Sequence, residues 1–430
     1  MSRSFMPEVK TEEELKALQL DGLKWTVRHA YTNSPFYRKR LEAAGVVPES
    51  IKSLDDLKRL PFTTASDLQE GYPFPLKAVD DEEIVRIHAS TGTTGKRKIL
   101  CYTKKDIDDW ANMFARCYEM AGVTRKDRVQ IAVGYGLWTA GVGFQLGCER
   151  FGAMAVPVGP ANRDMHCELM VDLQTTVFCC TASMGLLMAE EIHNRNLRDK
   201  IAVKKVIFGA ERHSAAMRRK IEEYFGIEES FDIPGLTELY GPGTGLDCEK
   251  HEGVHYWADY YILEIINPET LEPLPPGETG EMVVTTLRKE GAPLIRYRTR
   301  DLTYLHPKPC SCGSVLPMHG HLLGRTDDMF IIRGVNIYPA QIDRILSQEP
   351  GVESEYQVIL NRKEGKDYMT IRAERAKTAN PSEDEAITAR LENVIRHKLL
   401  VRGRVELVDY ASLPRTSRKT RRVFDERNNG

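Results

Sequence analysis

The chain has 430 residues, 41% hydrophobic and 28% charged, with a formal net charge of −2. Two or three domains are expected at that length, with the apolar content of a soluble globule, and the near-neutral charge gives no electrostatic reason to expect nucleic acid or an anionic membrane as partner. No run approaches the ~20 apolar residues that span a bilayer, and the nine scattered cysteines read as reduced thiols and not as a disulfide framework.

The first residues, Met1-Ser-Arg-Ser-Phe-Met-Pro-Glu8, carry no apolar core of signal-peptide length, so a cytoplasmic location is expected. From Glu12 to Ala44 apolar residues fall at helical spacing, with a break at Asn33-Ser34-Pro35. Ser53–Leu60 and Thr64–Glu70 read as short helices, the first ended by Pro61. Between the strand-like Ile84–His88 and Ile99–Tyr102 lies a run of hydroxyls, two glycines and three cations, Ser90 to Lys98. Gly92 and Gly95 let the backbone aim N–H groups at an anion, while Thr91, Thr93 and Thr94 add donors and Lys96 and Lys98 add charge. It is not a Walker P-loop, which needs a glycine where Ser90 stands and a Ser or Thr where Arg97 stands. A polar hairpin loop is the other reading of the same residues.

Beyond the loop, Lys104–Ala121 reads as a helix and Val129–Val133 as a strand running into the glycine-rich stretch from Gly134 to Gly143. Strands at Ala153–Val158, Val177–Cys180 and Lys205–Phe208 alternate with helices at Asp164–Leu173, Gly185–Asn194 and Ala215–Phe225. That alternation predicts an α/β fold, a mainly parallel sheet covered by helices on both faces, with ligands at the carboxyl ends of its strands. From Gly253 the texture turns to β, with strands at Tyr260–Ile266, Gly280–Thr286, Leu294–Tyr297 and Asp301–Tyr304 suggesting a distorted barrel or a second sheet. Past Gly324 come a helix at Pro339–Ser347, strands near Tyr356–Leu360 and Tyr368–Ala373, a helix at Glu383–Leu400 and a strand at Val405–Val408. These describe a small separate α+β lid.

Seven short motifs follow one another in register: His88 to Lys96, Gly134-Tyr-Gly-Leu137, Gly209-Ala-Glu211, Gly235-Leu-Thr-Glu238 with Gly241-Pro-Gly243, Tyr297-Arg-Thr-Arg-Asp301, Gly324-Arg-Thr-Asp-Asp328 and Ile332-Arg-Gly-Val-Asn336. In these the chain resembles, almost end to end, the phenylacetate–CoA ligase group of the adenylate-forming acyl-CoA synthetases. The resemblance implies a large N-terminal adenylation domain over 1–326, with parallel helix-covered sheets and a distorted β-barrel, and a mobile C-terminal α+β lid over 327–430. It implies ATP, Mg2+ and CoA as cofactors, AMP as product, a small-molecule carboxylic acid as partner and a homodimer, with neither nucleic acid nor membrane involved. A carboxylate would attack the α-phosphate of ATP, and the CoA thiol would then displace AMP.

On the same resemblance, Ser90 to Lys96 would hold the β- and γ-phosphates. Glu238, beside Thr237, takes the magnesium-binding position. Asp301 takes the position that accepts both ribose hydroxyls, Arg325 contacts the ribose, and Asp327 is the hinge. The backbone of Gly209, Ala210 and Glu211, with Asp232, Ile233 and Pro234, surrounds the adenine. Lys419 in the basic tail aligns with the lysine that bridges the acyl carboxylate and the α-phosphate. The acyl pocket is bounded by Tyr135, Trp138, Ala140 and Gly141, with Ala210 and Ile233, a flat apolar slot suited to an aryl or arylacetic acid. Four positions depart from the family: Pro234 stands where an adenine-stacking tyrosine is common, Arg97-Lys98 replace a more usual Pro-Thr-type pair, and Trp138 replaces a smaller aromatic.

Cys310-Ser-Cys312 lies between prolines, with Cys248 and His255 upstream, and some members of the group resemble it here. A Cys3His set suits a structural Zn2+. His251, His319 or His321 could replace His255, and free cysteines in a loop are the other reading. The function expected is an ATP-dependent aryl-acid–CoA ligase. The alternatives are an adenylating enzyme with another acceptor, of deazaflavin or carrier type, and a degenerate nucleotide-binding regulator.

Overall fold

The first helix is opened by Thr11, whose hydroxyl accepts from the N–H of Glu14, and acidic residues fill its first turn, where the helix dipole favours them. That helix, α1 (Glu12–Asn33), stops at Ser34 because Pro35 cannot continue it and instead begins α2 (Pro35–Ala43). The computed structural model describes residues 4–90, 96–211, 213–363, 366–414 and 422–427. Its contacts divide the chain into two units: Met1–Cys180, Lys200–Ala210 and Glu228–Leu322 form one, and Thr181–Asp199, Glu211–Ile227 and Leu323–Gly430 the other.

In the first unit, α3 (Ala65–Glu70) carries a capping box from Thr64 and Asp67. An antiparallel pair, β1 (Ile84–Ser90) and β2 (Lys98–Thr103), brackets the glycine–threonine loop, and Ser90 stands opposite Lys98. Then come α4 (Lys104–Met120), β3 (Arg128–Ile131), α5 (Ala140–Phe151), β4 (Met154–Val156), α6 (Arg163–Asp172), β5 (Val177–Thr181), β6 (Lys205–Gly209) and β7 (Glu229–Ile233). The last five strands form one sheet in the order β4-β3-β5-β6-β7, with parallel registers of β3 on β4, β3 on β5 and β6 on β7. The expected parallel α/β arrangement is thus present.

The helix α5 and the strand β7 were not anticipated from the sequence. The reason for α5 lies in packing: a Cβ at Gly143 would come within 2.6 Å of Trp110, and one at Gly147 within 2.4 Å of Phe114, so glycines let α5 lie close against α4. A second correction concerns Leu294–Tyr297 and Asp301–Tyr304, expected as two strands. The structure has one, Tyr297–Thr303, which pairs antiparallel with Gly280–Thr286, and that strand pairs in turn with Tyr261–Ile266. A three-stranded sheet of Gly245–Asp247, Val254–Tyr256 and Met318–His319 completes the β region.

The second unit contains α7 (Ala182–Asn194), α8 (Ala215–Phe225), α9 (Pro339–Leu346) and α10 (Asp384–Leu399). Its sheet runs in the order Gly403–Val408, Lys366–Arg375, Val352–Lys363 and Val423–Asp425. Ile342, Val358, Leu360, Ile371 and Ile395 are fully buried in a core of its own. Lys220 on α8 is held at 3.2 Å by Glu353 and at 3.3 Å by Glu190. Among the described residues no helix is long and apolar enough to cross a membrane, and all nine cysteines are free thiols.

One buried network is expected to make stability depend on pH. Thr175 donates to Gln130 Oε1 at 3.0 Å, while Gln130 Nε2 faces His166 Nδ1 at 3.0 Å and donates to the His166 carbonyl at 3.2 Å. Nδ1 must therefore accept, which the neutral ring allows and the charged ring does not. Burial lowers the His166 pKa below its ordinary value. The unfolded chain takes up this proton near pH ~6.5 while the folded chain resists, so stability is whole above that pH and falls by up to ~1.4 kcal/mol per unit below it, until the folded group also titrates. Urea midpoints are expected to drop from pH 7 to pH 5, and His166→Gln to flatten that slope; parallel slopes for the two proteins would exclude His166 as the source.

Candidate active site

The site is built where three chain segments of the first unit meet. The first is the root of the glycine–threonine loop, at the ends of β1 and β2. Thr91, Gly92, Thr93, Thr94 and Gly95 lie outside the described residues, as does Lys419. At the root, Lys96 projects over the ring of Tyr72 at 5.1 Å, and its carbonyl accepts from Gln69 at 3.3 Å. Ser90 Oγ is buried with no hydrogen-bond partner among the described residues.

The second segment follows the carboxyl end of β3. The Leu137 carbonyl accepts from the N–H of Ala89 at 2.9 Å and lies 3.2 Å from His88 Nδ1, which ties the loop carrying Tyr135 and Trp138 to β1. Burial lowers the His88 pKa and favours the neutral ring. Tyr135 is exposed, Trp138 half-buried, and Ala140 and Gly141 are buried at the start of α5. A Cβ on Gly141 would come within 2.6 Å of the Tyr135 ring, so the absence of a side chain there is what lets that ring approach the helix.

The third segment is the turn Thr237-Glu238-Leu239-Tyr240, just past β7, between the short paired strands Gly235–Leu236 (β8) and Gly241–Pro242 (β9). It is clamped through its carbonyls. Tyr102 Oη donates to those of Thr237 and Tyr240, both at 3.1 Å, and Lys289 Nζ donates to those of Leu239 at 2.8 Å and Glu238 at 3.3 Å. Thr237 Oγ1 is 3.5 Å from Thr139 Oγ1. Lys289 is fully buried between the rings of Tyr102 and Tyr240, at 4.8 and 4.7 Å, and desolvation pushes its pKa down to about 8. The Glu238 carboxylate, 7% exposed, pairs with Lys98 Nζ.

The strand ends β6 and β7 lie beside these segments. Gly209 must be glycine, because a Cβ would meet the Ile233 carbonyl at 2.1 Å, and Ala210 follows it with φ +70, a left-handed conformation that a non-glycine residue adopts at a cost. Asp232 lies 3.2 Å from His321 Nδ1. Pro234 is half-buried. Asp301 is buried on the Tyr297–Thr303 strand, its N–H donating to Thr299 at 3.0 Å. In the second unit, Glu211 accepts from the N–H of Ser183 in the first turn of α7 at 2.6 Å, so its side chain serves that helix end. Arg325 makes a two-pronged pair with Asp327, at 2.8 and 2.9 Å.

Away from this region the structure gathers Cys248, His255, Cys310 and Cys312, with their ligand atoms all within 4.8 Å of one another. Cys248 Sγ is 3.5 Å from Cys310 Sγ, and Cys312 Sγ is 3.4 Å from His255 Nε2. The other three histidines are engaged elsewhere: His251 with Asp247, His319 with the Gly320 carbonyl and His321 with Asp232.

Sequence reasoning missed Lys98, Tyr102 and Lys289. Lys98 is legible as one of the three cations of the loop but not as the partner of Glu238, and Lys289 sits in Arg288-Lys-Glu290, which reads as a solvated charge cluster. The signal available for Lys98 was its place at a strand end opposite Ser90. For Lys289 no local signal exists, since its partners are 50 and 51 residues away.

Family models match most of the chain: AMP-binding enzyme over residues 15–287 and AMP-binding enzyme C-terminal domain over 334–427. The chain is 40% identical over 427 residues to the phenylacetate-coenzyme A ligase of Escherichia coli (strain K12), covering 98% of this chain and 97% of that one. It is 41% identical over 374 residues to the phenylacetate-coenzyme A ligase of Thermus thermophilus, covering 86% and 84%. Among solved structures, 2-hydroxyisobutyryl-CoA ligase in the postadenylation state with 2-HIB-AMP matches with a TM-score of 0.90 at 27% identity, over 100% of this chain and 94% of that one.

Proposed function

This chain belongs to the AMP-binding enzyme family, in its phenylacetate–CoA ligase group, and from that membership we propose that it activates an aryl or arylacetic acid with ATP and transfers the acyl group to coenzyme A. It is an AMP-forming acid–thiol ligase. The carboxylate oxygen attacks the α-phosphorus and pyrophosphate leaves; the CoA sulfur then attacks the acyl carbonyl, and AMP leaves with the bonding electron pair.

The observation that supports this most directly is the clamped Thr237–Glu238 turn, whose carboxylate meets Lys98 at the root of the phosphate loop. The first step brings two anions together, so fixed positive charge and rigid placement are what the protein must supply. Ser90 to Lys96 take the β- and γ-phosphates in this reading. Gly209, Ala210, Glu211, Asp232, Ile233 and Pro234 take the adenine, Asp301 and Arg325 the ribose, and Lys419 the α-phosphate and acyl carboxylate. Tyr135, Trp138, Ala140 and Gly141 take the acyl group, with the aromatic faces excluding water from the reacting carboxylate. Glu238 and Thr237 would hold Mg2+, which when bound neutralises phosphate charge; a buried carboxylate beside a hydroxyl is a donor set of the right hardness.

The residues 1–326 then act as the adenylation domain and 327–430 as a lid turning about Asp327 between the half-reactions. A structural Zn2+ on Cys248, His255, Cys310 and Cys312, a homodimer and a cytoplasmic location belong to the same reading. Pyrophosphate release should be measured with ATP and Mg2+ across aryl, arylacetic and short aliphatic acids, with and without CoA. Release with aryl or arylacetic acids, faster with CoA and ending in a thioester, is expected. Release that never yields a thioester would replace CoA with another acceptor, and no release with any acid would remove the activity.

A further inference from the structure

Glu238 already has a cation. Its carboxylate is 7% exposed and pairs with the ammonium of Lys98, 17% exposed. Nothing about the position of Glu238 requires this partner, because its turn is fixed through backbone carbonyls by Tyr102 and Lys289. Lys98 therefore contributes charge and little architecture. A largely buried ion pair of this kind is weak evidence for stability, since desolvating both groups offsets their attraction. The pair also occupies Oε1, one of the two oxygens through which the carboxylate would ligate a hard divalent cation.

Lys98 has a second geometric property. It is the first residue of β2 and stands opposite Ser90, the last residue of β1, so its side chain starts from the root of the phosphate loop. An ammonium on a flexible four-carbon stem can leave one anion for another nearby. We propose that Lys98 is a resident counter-ion that balances the charge of Glu238 until a complex of a divalent cation with a nucleoside triphosphate displaces it, and that its ammonium then moves onto the phosphate oxygens. This rests on the reading of Glu238 as the metal-binding carboxylate. No bond is made or broken in the exchange: the cation takes Glu238, and Lys98 takes phosphate charge that the cation leaves uncovered.

Two consequences follow. The free enzyme binds divalent cation more weakly than Glu238 alone would, and the triphosphate is held more tightly than without Lys98. The test uses full-length protein with Mn2+ as probe, reading free Mn2+ by its electron paramagnetic resonance signal, first alone and then with α,β-methylene-ATP. Lys98→Met keeps the stem and removes the charge; Lys98→Thr is a second, smaller replacement in case methionine disturbs folding, which circular dichroism melting reports. Both variants are expected to bind Mn2+ about tenfold more tightly than the parent without nucleotide, a step of ~1.4 kcal/mol, and to bind the triphosphate analogue several-fold more weakly at saturating Mn2+. Glu238→Gln is expected to lose the tight Mn2+ site. Unchanged Mn2+ affinity in folded Lys98 variants, with the site lost in Glu238→Gln, would overturn the counter-ion and leave the Glu238 reading standing. An intact Mn2+ site in Glu238→Gln would overturn that reading, and the proposal with it.

Discussion

Lys419→Ala is expected to reduce pyrophosphate release by at least ~10²–10³-fold, the scale lost when a donor aimed at developing charge is removed, while thioester formation from supplied acyl-adenylate changes by no more than a few-fold. The asymmetry comes from the charges in each step. Adenylation drives a carboxylate into a polyanion, so a cation lying between the attacking oxygen and the α-phosphate acts where repulsion is greatest. In the second step a thiol attacks the carbonyl of a mixed anhydride, and neither partner is a polyanion at the reacting atom. The competing view is that Lys419 is one cation among several in a basic tail that includes Arg415, Arg418 and Arg421. Arg418→Ala separates the two, since a general tail effect would make both variants lose activity alike. Equal loss of both half-reactions in Lys419→Ala would remove the assigned role.

How much of this was legible beforehand depends on whether the determining physics was local. The α1–α2 break was readable because Pro35 acts on its own backbone, and α8 was readable because its apolar positions recur at helical spacing and Gly226 closes it in a left-handed cap. α5 was hidden because Gly141, Gly143 and Gly147 argue against a helix on propensity, whereas close packing against Tyr135, Trp110 and Phe114 requires them. The strand Tyr297–Thr303 was read as two pieces because Arg298 and Arg300 interrupt its apolar pattern. Both in fact pair with the buried Glu281 on the neighbouring strand, at 2.7 and 3.6 Å. The site followed the same division. Motif residues such as Glu238 and Asp301 could be found by their neighbours in sequence, but the groups that hold the Glu238 turn, Tyr102 and Lys289, come from distant segments and carry no motif.

The cysteine cluster leads to the second large effect: purified protein is expected to contain about one zinc per chain, and Cys310→Ser or Cys312→Ser to lose it together with thermal stability. His255 is oriented as a metal ligand would be. Its Nδ1 lies 3.0 Å from the Leu316 carbonyl, which can only accept, so the proton sits on Nδ1 and the Nε2 lone pair points toward Cys312 Sγ. Burial raises the Cys310 and Cys248 thiols above their ordinary values, so without a cation these two stay protonated. Zn2+ reverses that preference by binding the deprotonated sulfur, and sulfurs 3.5 Å apart are close enough to share one tetrahedral ion. Its mechanical effect would be to join segments 62 residues apart, Cys248 and Cys310, across the small sheet of Gly245–Asp247, Val254–Tyr256 and Met318–His319. Losing such a clip should lower the melting temperature by roughly 5–10 °C, from a stability change of a few kcal/mol spread over a large unit, and a strong chelator should do the same to the parent protein. Adenylation at 25 °C, assayed after the chelator is removed and Mg2+ restored, should survive both treatments, because none of the four ligands belongs to the residues assigned to ATP or the acid. Metal-free protein that melts normally would make the cluster a set of packed thiols. Zinc loss that abolished adenylation at a temperature where the fold persists would instead tie the ion to the chemistry.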